Sequence, residues 1–127
     1  MDVMIDFNSD EAIYIQLCNQ IIIGIATEKI HEGDSLPSVR QMAEIVGINM
    51  HTVNKAYAIL KQQGFVQLDR RKGAVVRIDP DKLGVLLHMK KEFAPVVARG
   101  ICNGVDRSEA HEIIDSLYND FLSRKEG

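Results

Sequence analysis

Apolar residues recur at helical spacing in two short stretches that are separated by Gly47. Ser38 and Gln41 form a capping box at the start of the first stretch, because they lie three residues apart. Asn49 is a typical N-cap for the second stretch, and Gly64 ends it. The pattern predicts two short helices around a tight turn, which is a helix-turn-helix. The apolar positions are Val39, Met42, Ala43 and Val46 in the first helix and Val53, Ala56, Tyr57 and Leu60 in the second.

Two short strands are predicted directly after the second helix. The residues from Phe65 to Leu68 and from Ala74 to Ile78 have strand-like composition. The basic turn Arg70-Arg71-Lys72-Gly73 lies between them. A helix-turn-helix followed by a β-hairpin is a winged helix, in which the second helix enters the DNA major groove. The hairpin tip, or wing, is then placed to touch the sugar-phosphate backbone or the minor groove.

Residues at characteristic spacing run through this region: Tyr14 and Gln16, then Gly33, Leu36, Pro37, Ser38, Arg40 and Ala43, then Asn49, Thr52, Val53, Lys55, Ala56, Tyr57 and Gly64. In this respect the stretch from about Ile13 to Ile78 resembles the GntR family of bacterial transcription regulators. The resemblance implies a winged helix that binds operator DNA and an Arg40 that contacts it. Many members carry Arg directly after the Asn that opens the recognition helix, whereas Met50 stands there in this chain. This difference bears on base preference and leaves the fold expectation unchanged.

Another helix is predicted before the motif, ending at about Ile30, after a short extended piece from Val3 to Phe7. Gly24 weakens this helix, and we expect it to let another helix approach closely. Leu36 is expected to pack back into the core. The N-cap candidates are Asn8, Ser9 and Asp10. One broad buried stripe is expected from Ile13, Leu17, Ile21 and Ile25, with Tyr14, Cys18 and Ile22 beside it.

A further helix is predicted from Lys82 for about twenty residues, on its rhythm of apolar positions. Pro95 interrupts that rhythm, and we therefore expect a kink or a break near Glu92. Asn103 and Gly104 end the helix, with the glycine as its C-terminal cap.

Asp79-Pro80-Asp81 predicts a boundary between a winged-helix domain at residues 1–79 and a helical tail at residues 80–127. A capping box at Asp106–Glu109 begins the last helix, which is expected to end at about Ser123. The predicted dimerisation residues are the apolar stripes of the two tail helices: Leu83, Leu86, Leu87, Ala94, Val97 and Ile101, and Ile113, Leu117 and Phe121.

The short tail also bears on the subfamily. Larger GntR members carry ligand-binding or aminotransferase-like domains after the winged helix, whereas residues 80–127 have room for two helices only. This resembles the YtrA-like subfamily, in which a short helical tail mainly dimerises the protein. Since two amphipathic helices cannot close a core alone, we expect them to pack on the winged helix, on a partner chain, or on both.

The charge is distributed unevenly along the chain. Residues 36–77 contain seven Lys or Arg and two acidic residues, although the whole chain has a net charge of −3. Phosphate binding needs a local basic face rather than a basic protein, and the excess coincides with the helix-turn-helix and the hairpin. Double-stranded DNA is therefore the expected partner. The alternative is that a solvated hairpin simply favours Arg and Lys.

Candidate DNA contacts lie at three places in the winged helix. Arg40 lies on the exposed side of the first helix of the motif, where its guanidinium suits a phosphate or a guanine edge; the alternative is a surface salt bridge. The start of the second helix offers polar groups, of which Asn49 has an equally good interpretation as a cap alone. The wing tip adds the basic turn. The predicted DNA-binding residues are Ser38, Arg40, Asn49, Met50, His51, Thr52, Asn54, Lys55, Arg70, Arg71, Lys72 and Gly73.

No motif for an enzyme, a cofactor or a resident metal stands in the sequence. The four histidines are far apart, and a metal sensor that combines Cys102 with His88 or His111 across a dimer is the remaining alternative. Cys18 and Cys102 are expected to be small core residues rather than a disulfide. No apolar run reaches the roughly 20 residues of a membrane span, and the N-terminus lacks a basic leader, so the cytoplasm is the expected location.

Two functional hypotheses follow. The first is a sequence-specific transcription regulator, with repression as the expected mode, that binds an inverted-repeat operator as a homodimer; a small-molecule effector of unknown identity is left open. The second is a winged helix that contacts proteins without specific DNA binding. Asn, His, Thr and Lys at the start of the second helix favour DNA, whereas an exposed apolar patch there would favour a protein.

Overall fold

The computed structural model describes residues 3–126, which form two compact units. The first unit extends to Asp79 and contains α1 (Ile13–Ala26), α2 (Val39–Val46), α3 (Met50–Gln62), β1 (Val66–Asp69) and β2 (Gly73–Val76). The second unit begins at Pro80 and contains α4 (Lys82–Cys102) and α5 (Arg107–Glu126). The predicted fold, mainly helical with a small hairpin wing, is confirmed. No helix in residues 3–126 has the length and apolar character that crossing a membrane requires.

The two helices of the central motif begin at the predicted caps. The Ser38 hydroxyl accepts from the Gln41 backbone N–H at 3.1 Å, and the Gln41 side chain accepts from the Ser38 N–H at 3.0 Å. Asn49 caps α3 by accepting from the His51 N–H at 2.7 Å. Gly47 lies in the left-handed region with φ of 77°, which lets the chain turn between α2 and α3 without steric cost. These short-range interactions fix the geometry of the turn.

The hairpin joins the core through an additional edge contributed by the segment before α2. Strands β1 and β2 are antiparallel, with Val66 opposite Val76. The Leu36 N–H donates to the Ala74 carbonyl at 2.8 Å, and Ser35 forms an isolated bridge with Val75. Leu36 is buried, as predicted. The segment between α1 and α2 therefore ties the base of the wing to the helices.

The predicted strand limits were partly wrong. Phe65 lies before β1, and Ile78 lies beyond the end of β2. The Ile78 N–H donates to the Glu32 carboxylate at 3.2 Å instead of to a neighbouring strand. Arg77 still donates from its backbone to the Phe65 carbonyl at 3.1 Å, so backbone pairing continues one step beyond the regular ladder.

All buried side chains of the described residues belong to the first unit. Helix α3 is central, since it packs against α1, α2 and β1. The Tyr57 hydroxyl donates to the Pro37 carbonyl at 2.7 Å, and the Cys18 thiol donates to the Ala56 carbonyl at 3.3 Å. Burial raises the pKa of the Cys18 thiol, and this cysteine is not in a disulfide. The core is formed by Leu17, Cys18, Ile21, Ile30, Leu36, Met42, Ala43, Val53, Ala56, Tyr57, Leu60, Val66, Ala74, Val75 and Val76.

Helix α1 is shorter than predicted. It ends at Ala26 rather than near Ile30, because Glu28 takes a left-handed conformation with φ of 58° and reverses the chain. Ile30 then folds back and is buried over Gly24, where an added Cβ would lie 2.7 Å from the Ile30 Cδ1. The expectation that Gly24 accommodates another helix is therefore wrong, since its missing side chain makes room for Ile30.

The N-terminal segment also differs from the prediction. No strand forms between residues 3 and 7, and the N-cap of α1 is Ala12 rather than Asn8, Ser9 or Asp10. The buried Gln16 side chain supplies the fixed contacts instead. Its carbonyl oxygen accepts from the Asp6 N–H at 2.9 Å, and its amide donates to the carbonyls of Asp6 and Glu11 at 3.0 and 2.9 Å. A long-range polar contact thus replaces the expected local cap.

The second unit has the predicted capping box at the start of α5, whereas the C-cap of α4 is Asn103 rather than the predicted Gly104, which follows it with φ of 80°. Asp81 caps α4 by accepting from the Gly84 N–H at 3.1 Å, and the Asp106–Glu109 capping box opens α5. Of the predicted kink or break near Glu92, the break is wrong, because α4 runs without interruption from Lys82 to Cys102 through Pro95. The kink stays a prediction. Helix α5 extends to Glu126 rather than ending at Ser123.

None of the described residues of α4 or α5 is buried. Most of the predicted dimerisation side chains are exposed, for example Leu83 at 70% and Ile101 at 69%. Phe121 is half-buried. Exposed apolar residues also lie outside the predicted stripes: Val85, Phe93, Val96, Val105, Ile114, Tyr118 and Leu122. The second unit therefore presents much more apolar surface than it hides within itself.

Candidate nucleic-acid interface

Arg40 lies in the first turn of α2, about 160° around the helix from the buried Met42 at 100° per residue. Its side chain is exposed and has no hydrogen bond or ion pair within residues 3–126. The alternative prediction, that Arg40 forms a surface salt bridge, is therefore wrong for the described residues. Ser38 differs from Arg40, because its hydroxyl is already engaged in the capping box. Arg40 retains its five donors for an external acceptor.

The first turns of α3 present a mixed polar surface. Asn49 uses its carbonyl oxygen to cap the helix, and its amide N–H groups remain as possible donors. Met50 is 46% exposed, while His51 and Asn54 are exposed. Thr52 is half-buried. The N–H groups of His51 and Thr52 both donate to Asn49, whereas the Met50 N–H has no acceptor within residues 3–126. This N–H and the Thr52 hydroxyl suit a phosphate, and the exposed side chains suit base edges.

Lys55 has a contact that the sequence did not indicate. Its ammonium lies over the Tyr14 ring of α1, with the Nζ atom 3.9 Å from the ring centroid. This distance is within the range of a cation–π interaction. The contact joins the first helix of the unit to the predicted recognition helix.

The wing loop is organised by Asp69, the last residue of β1. Its carboxylate accepts from the backbone N–H groups of Arg71 and Lys72 at 2.8 and 3.0 Å. These two bonds, together with the charges of Lys72 and Arg77, lower the pKa of the Asp69 carboxyl. The three residues of the loop are exposed, and no ion pair engages the Arg70 or Arg71 side chain in the described part of the chain. Gly73 closes the loop with φ of 75°.

Replacing Arg70, Arg71 and Lys72 together with Ala is expected to weaken binding to all DNA sequences to a similar degree. These side chains project from a loop at a place suited to backbone phosphates. The slope of log affinity against log salt should fall by about 0.9 for each phosphate that the variant no longer neutralises. Fluorescence anisotropy at several salt concentrations measures this slope. Fluorescence anisotropy of a matched control completes the test: this control replaces Lys82, Lys90 and Lys91 of α4, which changes the net charge equally.

A weaker affinity confined to one operator, with an unchanged slope, would show that the wing reads bases instead.

Several residues near the candidate interface were not identified from the sequence. Asp69 shapes the wing, although its acidic side chain gave no reason to choose it. Ala58 and Lys61 are exposed on α3, and Lys61 lies about 20° around the helix from Met50 at 100° per residue. Arg77 contributes to the basic excess but folds back, donating to the Val76 carbonyl at 3.3 Å. The helical period could have revealed Ala58 and Lys61; the other two depend on tertiary structure.

The structure shows which candidate groups are joined by direct contacts. Asn49 contacts His51 through the cap, and Asp69 holds the backbone of the wing loop. Within residues 3–126, no hydrogen bond or ion pair connects the Arg40 side chain to α3 or to the wing. Helix α3 packs directly against α2 and β1, so the packing of these elements, rather than a hydrogen bond from Arg40, positions the three groups.

No group of three or more His, Cys, Asp or Glu side chains within residues 3–126 is arranged to hold a metal ion. His88 bonds instead to Glu92, with 2.7 Å between Nε2 and Oε1. Cys102 is a free, exposed cysteine, so the expectation that it is a core residue is wrong. It lies in the final turn of α4, where nothing in the second unit covers it.

Comparison with known proteins identifies the family. The sequence profile described as "Bacterial regulatory proteins, gntR family" matches residues 12–76, about half of the chain. The HTH-type transcriptional repressor YtrA of Bacillus subtilis is 28% identical over 126 residues, covering 97% of each chain. The matched segment includes α1, the helix-turn-helix and both strands of the wing.

Two solved structures share the fold, and one of them is named as a GntR-family protein. A transcriptional antiterminator from Listeria monocytogenes superposes with a TM-score of 0.84 at 26% identity, covering 93% of this chain and 90% of that one. The GntR-family transcription factor YtrA from Sulfolobus acidocaldarius is 36% identical with a TM-score of 0.62, covering 72% of this chain and 97% of that one. The chain therefore belongs to the GntR family of bacterial regulatory proteins, a family of transcription regulators rather than enzymes.

Proposed function

We propose that the protein is a transcriptional repressor that binds an inverted-repeat operator as a homodimer in the cytoplasm. The exposed cations of α2 and the wing carry this proposal, since they have no ion pair within residues 3–126 and accompany an exposed polar start of α3. A winged helix uses these three places to meet DNA. The repressor role is supported by the similarity to YtrA of Bacillus subtilis, which is described as a repressor.

Each group has a chemical role in the proposed complex. Arg40 donates to a phosphate or to guanine O6 and N7, for which its planar guanidinium is suited. The Thr52 hydroxyl and the Met50 N–H, which has no acceptor within residues 3–126, bind a phosphate. His51 and Asn54 read base edges, and the Met50 side chain contacts a thymine methyl. Met50 thereby gives a different base preference from the Arg that many relatives carry at this position.

The tail supplies the second copy in this proposal. The apolar side chains of α4 and α5 are exposed in a single chain, and pairing about a two-fold axis would bury them. Two recognition helices would then contact the same side of the DNA. Their half-sites would be separated by about one helical turn, roughly 34–36 Å, or by a multiple of it.

Arg40→Ala is expected to reduce operator affinity by about 1–3 kcal/mol while leaving the fold intact. Arg40 is exposed and unpaired within the described residues, so its removal breaks no internal hydrogen bond or ion pair. Footprinting on the protein's own promoter would locate the operator, and titration would compare the variants. Arg99→Ala, on the exposed surface of α4, is the matched control. A variant with native circular dichroism and wild-type affinity would refute the role of Arg40.

A protein-binding winged helix is the second candidate, favoured by three exposed apolar side chains. Ile45 on α2 is 58% exposed, Met50 on α3 is 46% exposed, and Leu68 on β1 is 67% exposed. This candidate predicts no sequence preference among DNA fragments and a weak, wholly salt-dependent affinity. The same footprinting experiment separates the two, because only the first candidate gives a protected site.

A further inference from the structure

The contact between Tyr14 and Lys55 restricts where the Lys55 ammonium can lie. Tyr14 is half-buried and packs against the core from α1, whereas Lys55 lies on the exposed side of α3. The ammonium is 3.9 Å from the ring centroid. The Tyr14 hydroxyl has no hydrogen-bond partner within residues 3–126, so the ring itself makes the interaction.

A ring orients a lysine without neutralising it. A carboxylate partner would cancel much of the charge and occupy the N–H donors. An aromatic face attracts the ammonium electrostatically from one side and carries no net charge. Lysine has three N–H donors on a flexible four-carbon stem, and ordering that stem costs entropy when an acceptor is bound. A stem already held against Tyr14 loses less of this freedom on binding.

The position of Lys55 on α3 indicates which acceptor it would meet. It lies one helical turn after His51, next to Asn54 on the exposed surface, and on the side that faces α1. His51 and Asn54 occupy the central part of the surface proposed to enter the groove. A cation at the flank of that surface is placed for the backbone that borders the groove, rather than for a base edge.

We propose that Tyr14 is a positioning residue that holds the Lys55 ammonium for a DNA backbone phosphate beside the start of the recognition helix. This inference rests on the proposed DNA-binding function. It assigns Lys55 to affinity and salt dependence, and it makes α1 part of the interface through one aromatic ring.

The test is a double-mutant cycle in the full-length protein on its footprinted operator. Lys55→Met should weaken binding and reduce the salt slope by about 0.9, the value for one neutralised phosphate. Tyr14→Leu should weaken binding by about two- to tenfold, the cost of ordering one flexible side chain on binding, with the salt slope unchanged because the charge is still present. Tyr14→Phe retains the ring and should bind like the wild type. In the Lys55→Met background, Tyr14→Leu should have no further effect.

Several results would overturn the inference. An equal weakening by Tyr14→Leu in both backgrounds would mean that Tyr14 acts only by packing α1. An unchanged salt slope in Lys55→Met would mean that Lys55 meets no phosphate, and a Tyr14→Phe variant as weak as Tyr14→Leu would exclude the ring as the active group. Failure of the wild-type chain to bind DNA would overturn the proposed function together with this inference; the other results leave that function standing.

Discussion

A chain that ends at Asp79 is expected to fold, to be monomeric and to bind the operator more weakly by about three orders of magnitude or more. All buried side chains of the described residues lie before this point, so the first unit retains its core. The apolar surface proposed to pair two copies lies after it. A single winged helix with this modest charge should bind near the non-specific range, since it engages one half-site instead of two.

Sedimentation of the intact and shortened chains at micromolar concentration measures the first part of this prediction. The intact protein should sediment as a dimer of 14.2 kDa chains. Operator titration of both chains measures the second part. Circular dichroism should show a folded shortened chain. An intact protein that sediments as a monomer would contradict the proposed architecture.

Two double variants of the 127-residue chain test whether the apolar surface of the tail, rather than the mere presence of the tail, is needed for the dimer. Leu83→Gln combined with Leu87→Gln removes two exposed apolar side chains from α4 and should weaken the dimer. Lys90→Gln combined with Lys91→Gln changes two exposed polar positions on the same helix and should leave the dimer intact. Equal effects of the two pairs would argue against an apolar dimer surface.

The features that could be predicted from the sequence are those set by neighbouring residues. The Ser38–Gln41 box, the Asn49 cap and the Asp106–Glu109 box each join residues no more than three positions apart. Their geometry depends little on the rest of the fold. The helical period likewise identifies the buried face of α3, because that face packs on several elements at once.

The features that could not be predicted depend on contacts between distant residues. The end of α1 depends on Ile30 packing over Gly24, and the start of the chain depends on the buried Gln16 amide. The sequence around Gln16 gave no indication of which backbone groups its side chain would bind. In the candidate site, exposure was predictable for Arg40, whereas the engagement of Lys55 by Tyr14 was not, since it requires α1 and α3 to pack side by side.

Leu60→Ala is expected to destabilise the protein by about 2–5 kcal/mol. Leu60 is fully buried near the end of α3, the helix that packs against α1, α2 and β1. Truncation would leave a cavity that these elements cannot all close, because each also has other contacts to keep. A change of this size is a large fraction of the total stability of a small domain, roughly 5–15 kcal/mol.

Leu68→Ala provides the matched control, since it is the same substitution in the same unit at a side chain that is 67% exposed. It should change stability by no more than about 0.5 kcal/mol. Urea denaturation followed by circular dichroism gives both values from the shift in midpoint at constant slope. Similar midpoints for the two variants would mean that Leu60 does not anchor α3 in the core. If Leu60→Ala is destabilised and Leu68→Ala is not, the buried face of α3 anchors the helix whose exposed face is proposed to read DNA.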